Sequence, residues 1–229
     1  MKKKPMLTRD YKFADGYLKQ KADDIVGSVQ RDSAQFATRG VTAATIATLQ
    51  TNIANFDNTQ TDEELKGALS VTTDAKDAIA DTLRGSVATI RTMAENKLGR
   101  ESAFYRSFSF EGMDAMTDEQ LYRLGKRVVR EATAQLSQLA SEGLTAAMVT
   151  NLLTITTNFD NAIDAQQSAV KNRDIKTQDR IVKGNIVYKE IVRLTNTGKD
   201  LFASTNEAKY NDYVLYNTPS GGAEPIVTP

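Results

Sequence analysis

The chain has 229 residues, 40% of them hydrophobic and 25% charged, the balance of an ordinary globular protein. Lys plus Arg equals Asp plus Glu at 29 each, and residues 1–103 carry 15 basic and 14 acidic side chains, which argues against a protein built to coat nucleic acid. Cys and His are both absent. That removes disulfides, thiolate metal sites and Cys nucleophiles, and with them the Ser-His-Asp triad and the Glu-x-x-His iron site.

The first residues, Met1-Lys-Lys-Lys-Pro-Met, are basic, and no apolar stretch follows them. No secretion signal is expected from that pattern, and no run approaches the 18 apolar residues of a membrane span. The expected location is the cytoplasm, alone or within a larger assembly. Helix A of the first half is expected over residues 14–39, where Leu18, Ala22, Ile25, Val29 and Phe36 form one apolar stripe. Gly40 then ends the helix, Val41 folds back on its last turn, and Thr42 caps a second helix. That helix, B, carries Ile46, Leu49, Ile53 and Phe56 on one face. Helix C follows over roughly 75–98 with Ile79, Leu83, Val87 and Ile90, and Gly99 is its expected cap. Short extended pieces are expected near Ser107–Phe110 and Tyr213–Tyr216.

The second half repeats the first. Between Gly40–Asn58 and Gly143–Asn161, 103 positions apart, ten of 19 residues are identical. Helix A recurs over 117–142, opened by the capping-box sequence Thr117-Asp-Glu-Gln120. Helix B recurs with Val149, Leu152, Thr156, Phe159, Ile163 and Val170, and helix C over 175–198 with Val182, Ile186, Ile191 and Leu194. Matching Gly85 to Gly184 and Gly99 to Gly198 changes the spacing to 99 and implies four extra residues in the first copy. Gly198 is then expected to cap a helix, and Gly85 and Gly184 to mark close crossings of another backbone.

The expected fold is all-α, two tandem antiparallel helical bundles of three long helices each, with room for a short fourth. The boundaries expected are 1–110 for the first bundle, 111–216 for the second, and a Pro/Gly-rich tail over 217–229.

No catalytic residues, cofactor or metal site are assigned. Asn-Phe-Asp-Asn at 55–58 and 158–161 offers oxygen ligands, but a helical setting lacks the turn geometry a calcium loop needs. Two kinds of surface remain. Aromatics gather at the unit ends, namely Tyr11, Phe13, Phe104, Tyr105, Phe108, Phe110, Tyr210, Tyr213 and Tyr216. They either plug the bundles or dock a partner. Arg123, Lys126, Arg127 and Arg130 share a face of the second helix A, where the first copy has Asp23 and Asp24. Faces of opposite charge at matching positions suit contact within the chain or between copies. The function expected is a non-enzymatic structural or interaction protein, a subunit of a particle, filament or viral structure, with protein partners or self-association. The alternative is a bundle that binds a small ligand or cation between its helices.

Overall fold

A computed structural model describes residues 6–216, and every regular element among them is helical. The expected tail over 217–229 lies outside the described residues. In chain order the helices are α1 (Asp15–Arg31), α2 (Ser33–Ala37), α3 (Ala43–Asp57), α4 (Asp62–Leu98), α5 (Ala103–Phe108), α6 (Asp118–Ala134), α7 (Leu136–Leu139), α8 (Ala146–Phe202) and α9 (Glu207–Asp212). The extended pieces expected near 107–110 and 213–216 are not strands: the first ends α5 and the second follows α9.

Local chemistry sets the boundaries as the residue types demand. Gly40 and Gly143 both adopt the left-handed conformation, at φ 75° and 91°. The next amide reaches back five residues in each copy, Val41 N–H to the Phe36 carbonyl at 3.1 Å and Leu144 N–H to that of Leu139 at 3.2 Å. Thr42 then accepts from the Thr45 amide at 3.3 Å, and Thr145 from that of Met148 at 3.2 Å. The capping box expected at Thr117 and Gln120 is present. The single A helices expected over 14–39 and 117–142 are each interrupted, at Asp32 and Gln135, positions also 103 apart. Both interrupting side chains are polar and buried.

The chain divides into two compact units, one of residues 6–61 with 175–216 and one of 62–174. These limits depart from tandem bundles at 1–110 and 111–216. In the first unit, Leu18 and Ile25 of α1 and Leu49 and Phe56 of α3 share a core with Val187, Ile191 and Leu194 of α8. In the second, Leu121 and Val128 of α6 and Leu152 and Phe159 of α8 share one with Leu83, Val87 and Ile90 of α4. Each unit therefore takes helices A and B from one half of the chain and helix C from the other. The cause lies in α8. It runs 57 residues without interruption, and Asn161–Asp179 contains neither Gly nor Pro to break it. Its second half cannot turn back along its first, so the antiparallel B–C hairpin expected in the second copy does not form.

The exchange also corrects the alignment of the C helices. Helix ends Leu98 and Phe202 lie 104 positions apart, as do the caps Ser102 and Asn206 that start α5 and α9. Ala94 and Gly198 are thus equivalent, and both are buried. Gly99 caps α4 at φ 74°, as expected. Gly198 instead sits inside α8, where an added Cβ would run into the Tyr213 ring. Gly184 is crowded by the Tyr11 and Phe56 side chains rather than by backbone, and Gly85 faces open space.

Two glycine substitutions should therefore diverge. Gly198→Ala should lower stability by about 1–3 kcal/mol, because the Tyr213 ring must shift. Gly85→Ala, exposed in mid-helix, should raise stability by roughly 0.5–1 kcal/mol. Urea denaturation of both variants checks the pair.

Candidate interaction surfaces

The helix starts place the first polar site. Tyr11 donates to Asp15 at 2.7 Å, in the first turn of α1, and Arg180 of α8 approaches the same carboxylate at 3.1 Å. Arg180 is almost wholly buried and also donates to the Gln60 carbonyl at 2.7 Å. In the other unit, Lys76 of α4 reaches Asp118, in the first turn of α6, at 2.5 Å. Asp15 and Asp118 lie 103 positions apart, and Lys76 and Arg180 lie 104 apart. Each C helix thus carries one buried cation to the start of an A helix. Burial pushes the Lys76 amine down, but Asp118 and Asp77 outweigh it and hold the group above its ordinary value. Burial also leads the upward shift of the Tyr11 phenol, reinforced by its bond to Asp15.

The second polar site surrounds Asp32, which has no exposed surface. Arg31 donates to it at 2.7 and 3.2 Å, Lys209 at 2.5 Å and the Tyr213 hydroxyl at 2.9 Å. Arg31 also pairs with Asp212 at 2.7 Å, so α9 is clasped twice to the end of α1. Burial pushes the Asp32 carboxyl up, yet the three donors together outweigh it and hold the group at about 2, below its ordinary 3.8. A carboxylate with both oxygens committed in this way is a structural clasp and a poor proton acceptor for chemistry. Among the described residues no group of three or more Asp or Glu side chains converges to hold a metal ion. Among them, too, no helix is long and apolar enough to cross a membrane.

Five of the aromatics proposed as a docking surface are core residues. Tyr11, Tyr105, Phe108, Phe110 and Tyr213 are all buried, because the unit ends need large apolar plugs. Phe108 stacks on Phe110 at 5.0 Å, and Tyr213 stacks on Phe202 at 5.9 Å. Phe104 and Tyr216 are exposed, and Phe13 and Tyr210 are half-buried. Phe13 does join an open cluster in the first unit, with Tyr17 at 5.2 Å, Tyr216 at 5.7 Å and Tyr188 at 6.1 Å. Tyr188 escaped sequence reasoning. It sits beside the seam residue Val187, and one step off the stripe is the only sequence sign of its position at the core's edge.

The charged faces differ in how far they are spent. Asp23 and Asp24, on the first unit, approach Lys19 at 2.8 Å and Lys21 at 4.0 Å on their own helix. Arg123, Lys126, Arg127 and Arg130, on the second, make no ion pair among the described residues; Lys126 lies only over the Tyr122 ring, at 5.9 Å. Arg123 and Arg127 line an open depression of about 370 Å³ together with Gln120 and Glu111. A larger depression of about 640 Å³ lies in the first unit, lined by Val29, Phe36, Val41, Ile46 and Gln50. Comparison with protein-family models, with curated proteins and with solved structures found no match to this chain.

Acid should act on the Asp32 clasp with a definite sign. A carboxylate held below its ordinary value stabilises the fold above about pH 4, and the contribution is lost as pH falls toward 2. Asp32→Asn should lose about 2 kcal/mol at neutral pH, the worth of hydrogen bonds to a charged group. The same variant should flatten the acid limb of the stability curve between pH 4 and 2. Chemical denaturation across that pH range reads both effects.

Proposed function

We propose that this protein is a non-enzymatic interaction protein, a helical subunit of a larger assembly that engages an acidic protein surface through α6. The observation that carries this reading is the face formed by Arg123, Lys126, Arg127 and Arg130, four cations with no ion pair among the described residues. Several cations elsewhere are committed to carboxylates, as Lys76, Arg31, Arg39 and Lys209 are, whereas on α6 four that are unpaired among the described residues share a single face. A clustered, unspent basic face speeds encounter with an acidic partner and orients it, more than it adds raw affinity. The equal spacing of helix ends, caps and buried cations in the two halves supports their descent from one duplicated module.

A second reading, a bundle that binds a small apolar ligand, is favoured by the depression over Phe36 and Val41. Its volume of about 640 Å³ is in the range of small-molecule pockets. It offers no charged side chain to fix a ligand's orientation, so it ranks below the first.

Charge reversal separates the readings. Lys126→Glu with Arg127→Glu should abolish binding of an added acidic protein at low ionic strength and leave melting unchanged within about 0.5 kcal/mol, as surface changes do. Sedimentation velocity at low and high salt measures it. Binding of acidic partners that survives the double reversal, or a wild-type chain that binds none of those offered, would contradict the proposal.

A further inference from the structure

The segment 6–61 cannot close its own core. Its two long helices, α1 and α3, present Leu18, Ile25, Leu49 and Phe56 to a third helix that comes from the far end of the chain. The fit of that end is specific along its length. Arg180 meets Asp15, Asp200 meets Arg39 at 2.6 Å, and Lys209 and Tyr213 meet Asp32. The segment 62–174 differs, because it holds α4, α6 and the first part of α8 as one continuous run with a core of its own. Between the two parts of α8, residues 164–179 bury no side chain and join neither core. Because α8 is unbroken there, the link whose path changes on exchange is the short one between Asp57 of α3 and Asp62 of α4.

We propose that the third helix, supplied here by the same chain, is also supplied by a second copy: residues 175–216 of one copy complete the bundle of residues 6–61 of another. The exchange keeps every contact named above and replaces an internal partner with an external one. Its cost is the lost effective concentration of the tethered segment, which rising protein concentration offsets. Reciprocal exchange closes a dimer, and serial exchange builds an open head-to-tail chain. The inference is independent of the α6 basic face, since none of its contacts involves that helix.

The natural chain contains no Cys, so introduced thiols are unique. Arg39→Cys and Asp200→Cys are made in separate full-length chains carrying tags of different size. The two are unfolded together, refolded over a range of concentrations and treated with a short bismaleimide. As a control, Arg39→Cys is mixed with Lys183→Cys, seventeen residues and about 25 Å up the same helix from Asp200. Exchange predicts a covalent heterodimer that grows with concentration and exceeds the control several-fold. Equal, low yields in both mixtures overturn it, provided that a single chain carrying both Arg39→Cys and Asp200→Cys links within itself. Failure of that double variant to link at all also overturns it, because the segment would then not pack where the inference needs it. Charge reversal on α6 should leave the heterodimer yield unchanged, which keeps this outcome separate from the fate of the basic face.

Discussion

A continuous α-helix cannot pack against itself, and that constraint organises this molecule. Once α8 runs from Ala146 to Phe202 without a break, its two parts must serve different cores. The first part joins α6, and the vacancy beside them is filled by α4. The second part joins α1 and α3, and the chain's two ends meet in one unit. Helix α3 stops at Asp57 and α4 starts at Asp62, so the first half also sends its C helix away from its B helix, here across a short break. The result is a reciprocal exchange of third helices inside one chain.

Polar pins hold each exchanged helix in register. Lys76 on Asp118 and Arg180 on Asp15 play the same part in the two units, with different cations. A buried cation that loses its carboxylate typically costs about 3–5 kcal/mol, so slipping either C helix by a turn is heavily penalised. Greasy seams alone would tolerate such a slip, because Leu, Val and Ile recur every three or four residues. The Asp32 clasp does the same work for α9. Its donors come from Arg31 next to it and from Lys209 and Tyr213 far along the chain. Both arrangements use the charged groups of this protein for assembly of the fold, which leaves the α6 face as the clearest uncommitted set.

Much of the local structure was legible in the residues. Gly40, Thr42, Gly143, Thr145 and Thr117 stop and start helices where their chemistry says they should, and the stripes through Leu18 and Leu121 face cores. The third-helix exchange was not read, although its sign was present: no Gly or Pro interrupts Asn161–Asp179. Identical glycines misled the alignment of the C helices, because Gly198 answers to a neighbouring ring and Gly85 to nothing nearby. The aromatics were sorted poorly for a related reason. Composition marks Tyr105, Phe108 and Tyr216 alike, and only the packing shows that the first two are plugs and the third is open. The basic quartet of α6 was legible as a face, but its lack of ion pairs required coordinates.

Native-state hydrogen exchange on the wild-type protein tests the exchanged architecture most directly. Amides of α1, α3 and residues 180–202 should share one opening free energy and respond together to denaturant, since they form one cooperative core. Amides of α4, α6 and residues 146–163 should form a second set. If residues 180–202 instead opened together with 146–163, or α1 and α3 kept their protection while 180–202 exchanged freely, the helices would not be shared in this way.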